Sequence, residues 1–328
     1  MSTYPVISVL MPAYNSSSTI TRAVDSILTQ TFTDFELIIL DDYSTDQTAA
    51  IVRDYIKQDK RIRLVQNSTN QGIATNRNLA VAESRGKYIA FIDSDDYVDP
   101  KYLETLYKNL QESKSDITAC SYVEEYQNAS IAPPIQAKRI TTYSSAEAIH
   151  EYLRYGDLGA FTTCKLIKKS LFDGVAFPDG RIFEDLAVCY QLFAKAKQVT
   201  FIPQHLYHYV QKSTSAVHKR QSLRDLEFLF AIPDQVENYL DGQPDKSDLV
   251  YFRFRTYLSV INLTLSSHTP APSLTRKIIK YFRTHFLSIK HSGLSKREHI
   301  QLATLRLGLA PYRLLHFIQR ALFRKHTV

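Results

Sequence analysis

Carboxylates cluster at three places in this chain where their spacing could serve chemistry. "DSDD" (Asp93 to Asp96) sets three of them within four residues, directly after the apolar run Tyr88 to Ile92. Asp41 and Asp42 follow a second apolar run, and Glu184 and Asp185 stand together in "FED". Like charges this close repel, and removing them from water is costly unless a positive group compensates. Carboxylates gathered on adjacent strand ends suit a hard divalent cation held through oxygen, and such a cation in turn accepts diphosphate oxygens. Taken singly, each cluster has a plainer reading. Asp41 and Asp42 could cap a helix beginning near Thr45, "DSDD" could be a solvated turn, and Glu184 and Asp185 could complement a helix macrodipole. His205 and His208 have no third ligand nearby and read as satisfied strand histidines.

The elements that must position these groups alternate in kind. Val6 to Met11, Glu36 to Leu40, Arg63 to Gln66 and Tyr88 to Ile92 read as strands. Between them, Thr19 to Gln30 (with Ser18 as N-cap), Thr45 to Gln58 and Ile73 to Ser84 read as helices. This alternation predicts an α/β layer with a mostly parallel sheet, and ligands of such sheets sit beyond the carboxyl ends of the strands. "PAYN" (Pro12 to Asn15), "DDYSTD" (Asp41 to Asp46) and "DSDD" all follow strands, so the rule gathers them. A further strand is expected from Asp116 to about Tyr126, a loop at Pro133 and Pro134, an amphipathic helix opening at Glu184 and Asp185, and a strand from Ile202 running into a polar loop near Ser215. Beyond about residue 220, four or five helical segments are expected, broken at "DGQPDKSD", "SSHTPAPS" and "HSGLS".

The 328 residues predict about two domains, and 44% hydrophobic with 22% charged residues fits a globular chain. The net charge of +7 is unevenly placed: residues 251–328 carry 14 Lys and Arg against one acidic residue, a local charge of +13. Such asymmetry points to an anionic partner. Cys120, Cys164 and Cys189 are odd in number and widely spaced, which argues against a disulfide framework or a zinc site and for a reducing cytoplasm. Met1 is followed almost at once by "VISVLM" without a basic leader, and no run is long enough to span a bilayer, so neither export nor membrane spanning is expected. Asn67-Ser68-Thr69 reads as a chance match to a glycosylation acceptor.

Five blocks in order, "VISVLMPAYN", "ELIILDDYSTDQT", "NQGIATNRNLAVAESRGKYIAFIDSDD", "KLIKKSLFDGVAFPDGRIFEDL" and "LYHYVQKSTS", resemble the family-two inverting glycosyltransferases of GT-A fold over roughly residues 4–215. The resemblance implies a GT-A (nucleotide-diphospho-sugar transferase, Rossmann-like) mixed sheet flanked by helices, to which the helical segments expected beyond residue 220 add a C-terminal helical region. Together they divide the chain into a catalytic domain over 1–220, with a nucleotide-sugar half of about 1–115 and an acceptor half of about 116–220, and a basic helical region over 221–328. The resemblance implies a UDP-linked donor whose base is held around Pro12, Ala13 and Tyr14, with Asp42 accepting from the uracil edge and Arg77 lying near base and diphosphate. Asp93 would meet the ribose and Asp95 would coordinate Mn²⁺ or Mg²⁺ on the diphosphate, so that the metal answers the charge of "DSDD". Asp185 matches the family's general base, with Glu184 as acceptor ligand or support and Asp96 as a further support. Relatives often carry Arg after the "YxY" element, where this chain has Val210, and the contact moves to Lys212 or is missing. The function implied is inverting transfer to a glycan or lipid-linked acceptor in bacterial surface-polysaccharide assembly; the alternative is a noncatalytic binding protein of the same fold.

The basic tail lies outside that resemblance. In "PYRLLHFIQRALFRK", helical spacing puts Leu314, Leu315, Ile318 and Leu322 on one arc and Arg313, Arg320 and Arg324 on an adjoining one, as in a helix lying in a membrane interface. The enzyme is accordingly expected at the cytoplasmic face of the membrane as a peripheral protein. Packing of this helix on the catalytic domain or on a second copy in a homo-oligomer is the alternative, and nucleic acid is not expected, since no reader motif is present.

Overall fold

The computed structural model describes residues 4–127, 129–211, 221–266 and 269–324, with side chains as far as 319. The chain separates into two compact units, Met1–Tyr152 with Gly156–Gln211, and Leu153–Tyr155 with Lys212–Val328. The first holds, in order, β1 (Ile7–Ala13), α1 (Ile20–Leu28), β2 (Phe35–Asp41), α2 (Thr48–Gln58), β3 (Ile62–Gln66), α3 (Ile73–Glu83), β4 (Tyr88–Phe91), β5 (Tyr97–Val98) and α4 (Tyr102–Ser113). It continues with β6 (Ile117–Glu125), β7 (Ser130–Ile131), β8 (Thr141–Ser144), α5 (Ser145–Leu153), β9 (Lys165–Lys168), α6 (Glu184–Lys195) and β10 (Gln198–Val210).

These strands form one sheet in the order β3-β2-β1-β4-β9-β6-β10-β5, with β7 on β6 and β8 on β10. Pairing is parallel through β3, β2, β1 and β4 and antiparallel where β9 joins β4 to β6, which makes the sheet mixed. Every residue of β1, β2 and β4 is buried, as strands covered on both faces require. Because these three run the same way, with Ala13 opposite Asp41 and Leu10 opposite Phe91, their carboxyl ends open on one edge.

Three local readings shift. α1 opens at Ile20 without a Ser18 cap: the amides of Thr19 and Ile20 donate instead to the Ser16 carbonyl. α2 starts at Thr48, where the Asp46 carboxylate accepts from the Thr48 amide at 2.9 Å, so the residues before it form a turn. β10 begins at Gln198 and is 13 residues long because it pairs with β6 on one side and β8 and β5 on the other. Helix α4 and the four-residue β9 were not expected from sequence. The first buries Tyr102, Leu103, Leu106 and Leu110 along one face, and the second owes its place to strands on both sides.

The second unit is helical: α7 (Leu223–Leu240), α8 (Lys246–Ser266), α9 (Pro272–Thr284), α10 (Phe286–Lys290), α11 (Lys296–Leu307) and α12 (Leu309–Arg324). Among the described residues six helices stand where four or five were expected, because Gly308, at φ 137°, separates α11 from α12 and the five-residue α10 stands apart. Ser222 and Ser295 close capping boxes with Asp225 and Glu298. Arg154 pairs with Asp248 at 2.7 Å, and Arg255 with Glu298 at 2.6 Å. Among the described residues no helix is long and apolar enough to cross a membrane.

Candidate functional site

The edge formed by β1, β2 and β4 is stitched together by polar side chains. The Asp42 amide donates to the Ala13 carbonyl at 2.8 Å, and the hydroxyls of Ser16 and Ser94 meet at 2.8 Å, tying the loop after β1 to the "DSDD" turn. The Asn15 amide donates to Ser44 Oγ, and Asn15 Oδ1 accepts from the Thr45 amide. Asn15 and Tyr43 both hold left-handed backbone, at φ 48° and 63°, a conformation that costs energy for side chains of their size and that clusters at functional sites. Pro12 and Ala13 lie buried in the last positions of β1. Beyond them, Tyr14 and Tyr43 are 50% and 55% exposed, two aromatic rings standing in solvent at the same edge.

Asp42 is buried, and its carboxylate accepts from the amides of Gln71 and Gly72, both at 2.8 Å, and from Asn67 Nδ2 at 2.9 Å. Burial alone would raise its pKa, but these donors together with Asn76 hold it below the usual carboxylate value. Asp42 therefore does not cap α2; it anchors the loop that leads into α3. Asp41 supports the adjoining turn, accepting from the Ser44 amide and Gln66 Nε2.

Arg77 is the centre of the charge arrangement. Held within α3 and buried, it donates through one terminal nitrogen to Glu184 Oε1 at 2.8 Å and to Asp185 Oδ1 at 2.6 Å, and through the other to Asp93 Oδ1 at 3.2 Å. Its guanidinium lies over the rings of Phe91 and Phe177, at 5.7 and 5.6 Å. Burial opposes its charge, but Asp185, Asp93 and Glu184 outweigh it and push the pKa above the ordinary arginine value. The three carboxylates come from β4's end and from the first turn of α6, so Arg77 joins parts of the chain more than a hundred residues apart. The compensation assigned from sequence to a metal is thus supplied in part by the fold, where one guanidinium faces three carboxyl groups.

The carboxylates differ in their freedom. Glu184 is buried, and desolvation pushes its pKa up to about 7 against the pull of Arg77. Desolvation raises Asp93 as well, opposed by Arg77 and reinforced by Asp95. Asp96 is held away from the open edge: Tyr207 Oη donates to its Oδ2 at 2.6 Å and the Val210 amide to its Oδ1 at 2.8 Å. Burial, with Asp93 and Asp95 nearby, holds its pKa well above the usual value. Tyr207 Oη also accepts from the Asp93 amide at 3.2 Å, so β10 fixes the "DSDD" turn at two points. Asp95 is half-buried, and its carbonyl accepts from Arg22 at 2.7 Å.

Asp185 stands at the N-terminus of α6, behind Phe183, which holds left-handed backbone at φ 66°. Its Oδ1 accepts both from Arg77 and from Thr162 Oγ1, the latter at 2.7 Å, while its Oδ2 accepts no hydrogen bond among the described residues. One oxygen is anchored by two donors and the other is left to act. Thr162, Tyr207 and Tyr43 are the members of this arrangement that sequence reasoning missed; Thr162 carries no local signal, whereas Tyr207 stood inside the "YxY" element and Tyr43 inside "DDYSTD". Lys212 lies outside the described residues.

The two histidines are engaged. His208 lies between Glu125 at 2.8 Å and Asp99 at 3.3 Å and stacks on Tyr97, and His205 Nε2 meets the Pro133 carbonyl at 3.1 Å. Among the described residues no three His, Cys, Asp or Glu side chains gather into a ready-made metal cage. Asp95 beside Asp93 suits a cation that arrives with phosphate oxygens and keeps only one or two protein carboxylates.

Residues 8–175 match the family described as glycosyl transferase family 2. The chain is 32% identical over 277 residues to the glycosyltransferase GlyG of Streptococcus pneumoniae serotype 4, covering 80% of this chain and 90% of that one. It is 23% identical to the uncharacterized glycosyltransferase EpsJ of Bacillus subtilis, over 96% and 95% of the two chains. It is 32% identical over 192 residues to that organism's putative teichuronic acid biosynthesis glycosyltransferase TuaG, over 58% and 73%. Among solved structures, residues 1–349 of S. aureus TarS in complex with UDP-GlcNAc superpose with a TM-score of 0.66 at 20% identity, over 96% of this chain and 91% of that one. The fold is GT-A, and the chain belongs to glycosyl transferase family 2.

Proposed function

We propose that this glycosyltransferase moves a sugar from a UDP-linked donor to a hydroxyl of a glycan or lipid-linked oligosaccharide, with inversion, in the assembly of a surface polysaccharide. The observation that carries the reading is the asymmetry of Asp185: Oδ1 is fixed by Arg77 and Thr162, while Oδ2 has no donor among the described residues. A carboxylate oriented in this way can take the acceptor's proton as the hydroxyl oxygen attacks the anomeric carbon from the face opposite UDP. The new C–O bond forms as the bond to UDP breaks, the electron pair leaves with the diphosphate, and the proton passes to Asp185.

On the donor side, Pro12, Ala13 and the exposed Tyr14 and Tyr43 offer a surface for the base, with Asp42 behind it and Asp93 toward the ribose. Arg77 acts by holding Asp93, Glu184 and Asp185 in register. Asp95 is the carboxylate for Mn²⁺ or Mg²⁺, which, when bound, stabilises negative charge on the departing diphosphate. A neighbouring solved structure, a Pyrobaculum calidifontis mannosyltransferase with 17% identity, was determined in complex with GDP-Man and Mn²⁺. Glu184 and Asp96 serve as supports, and Lys212 is proposed as a minor contact to the acceptor side. The nucleotide-sugar half is read as about 1–115 and the acceptor half as about 116–220. The basic helices over 221–328 meet a membrane surface at its cytoplasmic side, where a lipid-linked acceptor is presented; self-association is the other use of these helices.

Release of UDP from a panel of UDP-sugars with Mn²⁺, repeated with EDTA, tests this. Metal-dependent release from one sugar is expected, with Asp185→Asn lowering transfer by roughly 10²- to 10⁴-fold while UDP still binds. No release together with no UDP binding by calorimetry would overturn the donor assignment, and strong residual transfer by Asp185→Asn would remove that residue from its role.

A further inference from the structure

The second unit presents a face that combines unbalanced positive charge with exposed apolar side chains. In α12, Tyr312, His316 and Gln319 point inward: Tyr312 Oη donates to Asn262 Oδ1 at 2.7 Å, His316 meets Ser266 Oγ at 3.3 Å and Gln319 meets Gln301 at 3.4 Å. At 100° per residue the opposite side carries Arg313, Leu314, Phe317 and Ile318, and the three apolar members are 63%, 71% and 46% exposed. Leu315, placed from sequence on this arc, is half-buried, and Phe317 takes its position. Leu322, Arg320 and Arg324 have side chains outside the described residues.

Exposed cations and apolar side chains also stand where the end of α11, leading into α12, meets α9 and α10. Arg283 donates to the carbonyls of Arg306 and Leu307 at 2.9 and 3.4 Å, and the Arg306 guanidinium covers the Phe286 ring at 4.4 Å, so the end of α11 lies against the end of α9 and the start of α10. Leu287 and Leu307 are left 66% and 74% exposed there. Beside them a cavity of about 370 Å³ is lined by Arg276, Lys280 and Arg283, one face of α9, together with Gly308 and Leu309. Glu298, the one acidic residue after position 250, is already committed to Arg255 and the cap of α11. The cations of this face therefore have no acidic side chain within the segment to neutralise them.

We infer that this face docks on an anionic phospholipid bilayer, with Leu307, Leu314, Phe317 and Ile318 seated at the headgroup and acyl boundary and the Arg276, Lys280 and Arg283 cavity taking a lipid phosphate. This rests on, and narrows, the reading that the C-terminal helices meet a membrane. Charge complementarity selects the occupant: a second copy would bring the same cations against one another, whereas an anionic leaflet attracts them and buries the apolar side chains between. Two weak signals, charge and apolar insertion, together give stable attachment where either alone is marginal.

The test is co-sedimentation of the full chain with vesicles of phosphatidylcholine alone and of phosphatidylcholine with phosphatidylglycerol. Binding to the anionic vesicles alone is expected, weakening as salt is added. Each neutralised cation near the surface lowers partitioning about fivefold, so Arg276→Gln with Lys280→Gln should lower it about 25-fold. Phe317→Ser should lower it about tenfold or more. Arg283 is left intact because it also supports the chain through its carbonyl contacts. Equal binding to neutral vesicles, or none to either, would overturn the inference. So would a concentration-dependent dimer by light scattering that Phe317→Ser abolishes without any vesicle binding. UDP release without vesicles is expected unchanged in these variants, so a failure here and a failure of the donor chemistry are read separately.

Discussion

Replacing Arg77 by Met should destabilise the protein in a pH-dependent way. The guanidinium is buried and makes three ion pairs of 2.6 to 3.2 Å, with Asp185, Glu184 and Asp93. Each attraction is about 4 kcal/mol at an effective dielectric constant near 20, and the desolvation of Arg77 opposes the sum. Breaking such an arrangement from one side costs about 3–5 kcal/mol, because Glu184 remains buried, and Asp185 and Asp93 partly buried, without their cation. A carboxylate whose folded pKa is raised favours folding most below its unfolded pKa, and that advantage is lost as pH rises through the folded value. For Glu184 the window runs from 4.5 to about 7, corresponding to about 3 kcal/mol. Without Arg77 the folded values of Glu184 and Asp93 move higher still, so the variant loses stability over a wider range toward alkaline pH. Urea denaturation followed by circular dichroism should give a deficit of about 3–5 kcal/mol near pH 8 and roughly 1–2 kcal/mol near pH 5, where Glu184 is largely protonated and Arg77 has less to hold. Arg77→Lys should recover part of the loss, since an ammonium retains the charge but not the fork that reaches three partners. A deficit equal at both pH values, or below about 1 kcal/mol near pH 8, would mean that these pairs behave like exposed ones and would refute the reasoning.

Thr162→Val keeps the volume and removes one of the two donors to Asp185 Oδ1; turnover should fall roughly tenfold with the donor KM little changed, and a raised KM at full turnover would place Thr162 in binding instead. Tyr207→Phe removes the donor to buried Asp96 and the acceptor of the Asp93 amide, which should cost about 1–3 kcal/mol. Because that hydroxyl opposes the rise in the Asp96 pKa, its loss should weaken the fold more near pH 8 than near pH 5, as paired denaturation curves would reveal.

Much of the fold was legible locally. β1, β2 and β4 are continuous apolar runs because parallel strands are buried on both faces, and the alternation of runs with helical spacing already required their polar tails to meet at one edge. "DSDD" and "FED" could be picked out because a carboxylate cluster is visible wherever it stands in sequence. Less was legible where tertiary context decided the outcome. β9 is four residues with no period of its own, made a strand by β4 and β6 on either side. The exposed face of α12 exchanged Leu315 for Phe317 because Tyr312, His316 and Gln319 found partners on α8 and α11, which set the rotation of the helix. The Arg77 clamp spans 16, 107 and 108 positions in the chain. Periodicity and composition report on neighbours within a turn or a strand, whereas a buried charge is stable only where distant segments bring its counter-charges, so the residue types came from the sequence and their pairing from the packed sheet.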